Sequence, residues 1–140
     1  MSSPWRPRRC PPSAAERPTP DRRQTFARRG ERLAAWYLRL KGYRIEARNW
    51  RCPQGEMDII AWDGDTLVFV EVKARASGMA GTPEEAVDAR KQQRLIRIAS
   101  VFLAGRRGAE PPCRFDVIAI RRNGMRLAIR HLRSAFRADP

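Results

Sequence analysis

Residues Gly55 to Arg75 read GEMDIIAWDGDTLVFVEVKAR, the most strand-like and apolar stretch of the chain, yet Asp58, Glu71 and Lys73 stand inside it. EMDIIAW and TLVFVEVKA have the β-branched and aromatic content of buried strands. Asp63-Gly64 between them is a tight-turn signal, so the two runs are expected to form an antiparallel hairpin. Side chains alternate across a strand. Leu67, Phe69, Glu71 and Lys73 therefore share one face of the second run, and Glu56, Asp58, Ile60 and Trp62 share one face of the first. With Asp63-Gly64 as the loop, Trp62 pairs with Asp65 and Asp58 faces Phe69, which makes Glu71 the diagonal neighbour of Asp58. Val68, Val70 and Val72 line the opposite face. A sheet that is apolar on both faces is one covered by helices on both sides.

Two carboxylates so placed repel each other and lose hydration. Lys73 supplies one compensating charge, and a divalent cation would supply the rest. Mg²⁺ takes oxygen ligands, commonly one or two carboxylates with waters and a substrate phosphate. The alternative is a buried Asp-Lys-Glu ion network without chemistry.

The rest of the chain supplies the frame. Its 140 residues suit one domain. Lys and Arg number 29 against 15 Asp and Glu, a net charge of +14 that favours a polyanionic partner, foremost nucleic acid. Cys10, Cys52 and Cys113 form no CxxC pair, and His131 is the one histidine, so neither a zinc framework nor a disulfide scaffold is expected. An odd cysteine count fits a reducing cytoplasm. No apolar run reaches membrane-spanning length, and the basic N-terminus lacks the hydrophobic stretch of a signal peptide. Residues 1–23 hold six of the eleven prolines and no apolar period, and are expected to be a disordered Pro/Arg-rich tail ahead of a single domain over 24–140.

A first helix is expected from Thr25, with Phe26, Gly30, Leu33, Ala34, Tyr37 and Leu40 as its buried stripe and Gly42 as its cap. Glu31 lies on the flank of that stripe among Ala27, Ala34 and Ala35. It either points into a cleft or pairs at the surface with Arg28 or Arg32. YRIEARNWR reads as a first strand. After the hairpin, Thr82 and Glu85 form a capping box for a helix from Pro83 to Gly105, with Val87, Leu95, Ile98, Ala99 and Phe102 as its buried stripe. Lys91 falls within that stripe and either reaches the carboxylates or turns its head to solvent. Arg90, Arg94 and Arg97 form a ridge suited to phosphates, or a solvated face. RFDVIAI and MRLAIRHL, joined at Asn123-Gly124, close the chain as strands, followed by an amphipathic tail, RSAFRAD. Asp116 is expected to be structural, with Arg114 or Arg130 as its partner; the alternative is a role in the site.

An aspartate on one strand and E-x-K on the next, Asp58 with Glu71-Val72-Lys73, resembles the signature of the PD-(D/E)XK nuclease superfamily. With GERLAAWYLRLKGYRIEARNWR, GTPEEAVDARKQQRLIRIA and RFDVIAI beside it, the chain resembles the YraN-like family of predicted endonucleases over nearly everything beyond the proline-rich tail. The resemblance implies an α/β, restriction-endonuclease-like core in the order αβββαββ. It implies that Asp58 and Glu71 hold Mg²⁺ or Mn²⁺ and that Lys73 positions the attacking water. Glu31 resembles the acidic residue many members carry on the first helix, and Lys91 resembles a second-helix position that is often polar. Met57 replaces the proline of the pattern. The activity implied is metal-dependent cleavage of DNA, with Holliday junctions as one substrate and a homodimer as the assembly suited to a symmetric junction. The rival expectation is a protein that binds nucleic acid and has lost turnover.

Overall fold

The computed structural model describes residues 22–76 and 87–138. Helix α1 (Arg22–Leu40) leads into strands β1 (Arg44–Cys52), β2 (Gly55–Asp63) and β3 (Thr66–Ala76). Helix α2 (Ala89–Ala104) and strands β4 (Cys113–Asn123) and β5 (Arg126–Phe136) follow. The five strands form one sheet in the order β1-β2-β3-β4-β5. β3 and β4 run parallel, as a helical crossover between them requires, and the other neighbours are antiparallel. This is the expected α/β order, αβββαββ. The N-terminal tail up to residue 21 and the Thr82–Glu85 capping box lie outside the described residues.

The two faces of β3 seat the two helices. Val68, Val70 and Val72 pack with Ala34, Ala35 and Leu38 of α1, and Leu67 and Phe69 pack with Leu95, Ile98 and Phe102 of α2. On the α2 side Phe69 stacks on Phe115, Phe115 stacks on Phe136, and Phe102 meets Phe69 and Trp50 edge-on. Each such pair contributes about 0.5–1.5 kcal/mol beyond the area it buries. Those contacts explain one departure from expectation. RSAFRAD does not stand apart as a tail; after a bulge at Ser134 (φ 49°) the strand continues to Phe136, which pairs with Phe115.

Four boundaries also differ. α1 starts at Arg22, and Leu40 is exposed while Ala35 and Leu38 are buried. Its end is the one expected: Gly42 (φ 93°) lets Tyr43 N–H reach the Leu38 carbonyl and Gly42 N–H the Arg39 carbonyl. α2 begins at Ala89 and not at Pro83, because Asp88 caps it by accepting from Lys91 N–H at 2.9 Å. Both hairpin loops sit one residue later than expected. They are Gly64-Asp65 and Gly124-Met125, with the glycine first and at positive φ. A glycine in the first central position suits the II′ type of turn, whereas the sequence pattern suggested type I′ with the glycine second.

At the end of the sheet where β2 turns into β3, Asp116 is buried and structural. It accepts from Arg114, from His131 Nε2 at 2.8 Å and from the Ser134 N–H. Burial would raise its pKa, but these hydrogen bonds outweigh burial and hold it low. Arg114 also reaches Asp63 and Tyr43, so one guanidinium ties β4 to the β2–β3 turn and to the end of α1. Arg130, the other expected partner of Asp116, lies on the opposite face of β5 from His131.

Candidate active site

The later turn moves the β2–β3 register by two residues. Asp63 pairs with Thr66 and the ladder ends at Ile59↔Val70, so the next opposed residues are Asp58 and Glu71. The expected pairing of Asp58 with Phe69 is thereby corrected: Phe69 faces Ile60. A two-residue shift keeps the paired residues on their own faces, and it brings Asp58 next to Glu71.

The ladder stops there because β2 stays with β1, where Met57 pairs with Trp50 and Glu56 with Arg51, while β3 stays with β4 as far as Ala76. The strands part at Asp58. Val72 N–H, on the β3 edge exposed by the parting, donates instead to Asp58 Oδ2 at 2.8 Å. A carboxylate thus takes the place of a backbone acceptor at the mouth of the notch.

Four charged side chains converge on the notch. Glu71 is 6% exposed. Its Oε1 receives Lys91 Nζ at 2.6 Å and Lys73 Nζ at 3.4 Å. Burial, then the neighbouring Glu71, push Asp58 up to about 8, against the Val72 hydrogen bond, and Glu31 adds to the rise. Burial lowers Lys73, helped by Lys91 beside it. Burial would lower Lys91 as well, but the negative charge of Glu71 outweighs it and raises that lysine. Lys91 therefore reaches the carboxylates, one of its two expected dispositions.

Glu31 approaches from α1. Its Oε2 accepts from the Asn49 amide at 2.7 Å, and the same amide donates to Glu56 Oε1 at 3.0 Å. Burial, then Glu56, raise its pKa. Glu31 thus faces the cleft between α1 and the first two strands, and its bonded partner is Asn49. Asn49 was not singled out in the sequence. It holds φ 51° within β1, and asparagine's tolerance of that conformation is the one local signal that could have marked it. Arg90, Arg94 and Arg97 are exposed on α2, and Arg94 lies against Gly55 at the β1–β2 turn.

Hard oxygen donors are what this notch offers. Among the described residues no group of three His, Cys, Asp or Glu side chains is close enough to hold a metal ion. Asp58 and Glu71 fit a cation that draws its remaining ligands from water and phosphate, the habit of Mg²⁺. They do not fit a closed protein cage. Lys91 at Glu71 already marks the notch as a place where positive charge is favoured.

Fold and notch together define an α/β protein whose central sheet opens over an opposed carboxylate pair flanked by two lysines. The chain belongs to the uncharacterised protein family UPF0102, whose profile matches residues 30–120. It is 52% identical to a UPF0102 protein of Symbiobacterium thermophilum over 110 residues, 78% of this chain and 93% of that one. It is 46% identical to one from Stutzerimonas stutzeri over 114 residues, 81% and 95% of the two chains. A third, from Chlorobium chlorochromatii, is 47% identical over 117 residues, 79% and 90%. Among the described residues no helix is long and apolar enough to cross a membrane.

Proposed function

We propose that this protein is a metal-dependent endonuclease that hydrolyses phosphodiester bonds of DNA, with branched DNA such as four-way junctions among its substrates. One observation carries the reading: Asp58 opposes Glu71 where β2 and β3 part, and burial, then the Glu71 charge, holds its pKa up to about 8. A group so perturbed, on an opened strand end in a strongly basic chain, is the mark of a working site. The motif's resemblance to the PD-(D/E)XK nucleases points the same way.

Asp58 and Glu71 would hold the cation, Mg²⁺ or Mn²⁺. A divalent ion there polarises the scissile phosphate and acidifies bound water. Lys73, next to Glu71 with its pKa lowered, orients the attacking water and can accept a hydrogen bond from it when neutral. Glu31, with its pKa raised, sits at the α1 wall of the cleft and can hold a proton there. Lys91, 2.6 Å from Glu71 Oε1, would be free to turn towards a substrate phosphate if a cation held Glu71. A four-way junction is two-fold symmetric, so cutting it calls for two copies of the chain.

A second reading has one observation in its favour. Lys91 and Lys73 already offset Glu71 without any metal, as in a structural ion network of a protein that binds nucleic acid but does not cut it. Labelled linear, flapped and four-way DNA incubated with Mg²⁺ or Mn²⁺ separates the two. The nuclease reading expects cleavage that is abolished by EDTA and lost in Asp58→Ala. Binding without cleavage of any substrate, or cleavage that survives EDTA, contradicts it.

A further inference from the structure

Among the described residues, the α2 side of the sheet is covered only in part. The apolar cluster under α2 takes in Leu67 and Phe69 of β3 and Phe115 and Val117 of β4, with Leu132 of β5 at its margin. It stops at the row Glu71–Val117–Leu132. Beyond that row, on the same face, the next row is Lys73–Ala119–Arg130 and the one after it Arg75–Arg121–Ala128, with Arg126 at the hairpin end of β5. Five basic side chains thus lie on one sheet face, starting at the candidate catalytic lysine and running to the free edge. Alanines at 119 and 128 stand between them, so no bulky side chain rises from the strip. Arg121, Arg126, Ala128 and Arg130 are exposed.

Two features separate this strip from an ordinary solvated surface. From Val117 to Ala138 the chain has six arginines and no aspartate or glutamate, whereas a surface built for solubility mixes both signs. Positive charge confined to β5 would be explained as protection of an edge strand. Arg75 and Arg121, however, lie on the inner strands β3 and β4, where no edge needs protecting.

We propose that this strip is the track for the phosphate backbone of the DNA strand beyond the scissile bond. The assignment rests on the nuclease reading for the position of that bond. The strip crosses two strand spacings, about 10 Å, and Arg126 to Arg130 span about 13 Å along β5. Measured along the duplex axis, that length is about four 3.4 Å rises. Backbone contacts of this kind fix register and orientation without reading sequence. The ridge Arg90-Arg94-Arg97 belongs to α2, which covers the other half of the face, and is not part of the track.

The test is the affinity of the full chain for a short labelled DNA duplex in EDTA, measured by anisotropy across a salt series. Arg121→Ala/Arg126→Ala/Arg130→Ala is compared with Arg29→Ala/Arg32→Ala/Arg39→Ala, which removes the same charge from the exposed side of α1. The strip triplet should bind about tenfold or more weakly, and its log–log salt slope should be shallower by about 2–3. The α1 triplet should stay near wild type. Wild-type affinity in the strip triplet, or an equal loss in both, overturns the proposal. If the strip triplet unfolds, Arg126→Glu at the exposed hairpin end must weaken binding by itself, and unchanged binding overturns the proposal. Failure of the nuclease reading looks different: the strip triplet still loses binding, but the wild type cuts nothing with Mg²⁺. Asp58-dependent cleavage combined with full binding by the strip triplet removes the track alone.

Discussion

Asp58 carries opposite consequences for stability and for function. In the metal-free protein its folded pKa of about 8 lies above the ordinary 3.8, so between those values the folded state holds more protons than the unfolded one. Its contribution to stability is therefore complete below pH 3.8 and is lost as pH rises through about 8. Asp58→Asn removes that dependence. The amide oxygen still accepts from Val72 N–H, and its nitrogen can donate to Glu71. Urea unfolding in EDTA should find the variant more stable than wild type by about 1–2 kcal/mol at pH 9, with the gap closing towards pH 4. A variant less stable at pH 9 would mean that the carboxylate is a structural asset. At this scale, alternation along β3 orders Phe69, Glu71 and Lys73, whereas on β2 it breaks at Asp58, since Met57 and Ile60 both pack under α2 while Ile59 packs under α1. Asn49 was hidden because its role comes from a positive φ and from a glutamate eighteen positions earlier in the chain.

Element placement depends on distances that a single sequence does not carry. Gly30 was expected in the buried stripe of α1, and it is buried, but the reason it must be glycine is a contact. A Cβ there would lie 2.8 Å from Ala74 Cβ on β3, so α1 rides directly on the strand that carries Lys73. Gly30→Ala should force the helix off the sheet, cost about 1–3 kcal/mol in chemical denaturation, and displace Glu31 with it. An unchanged unfolding midpoint would show that the helix gives way without strain. The two hairpins teach the same lesson in reverse. Asp63-Gly64 and Asn123-Gly124 rightly announced turns, but turn type is set by which loop position takes positive φ, and the glycine took the first. Likewise the start of α2 is set by Asp88, whose carboxylate accepts from Lys91 N–H in the first turn.

For the whole molecule, the order of elements and the two-faced central sheet could be read from the chain, because β3 is apolar on both faces and α2 lies between two strands that must then run parallel. The site could be read only in outline. Opposed carboxylates follow from two strands parting, and the parting follows from β2 and β3 each keeping its other neighbour, which no local pattern announces. The basic strip was hidden for the same reason: Lys73, Arg75, Arg121, Arg126 and Arg130 are dispersed in sequence and meet only through the β3–β4 and β4–β5 registers. The central claim is that the notch binds a divalent cation, and Mn²⁺ uptake tests it most directly. Titration at pH 8.5 followed by electron paramagnetic resonance, with and without a DNA duplex, should show saturable binding in the wild type. That binding should weaken as pH falls below 8, since the Asp58 proton must leave, and it should vanish in Asp58→Ala and in Glu71→Ala. Equal uptake by wild type and both variants, or none by the wild type even with DNA present, would contradict the account.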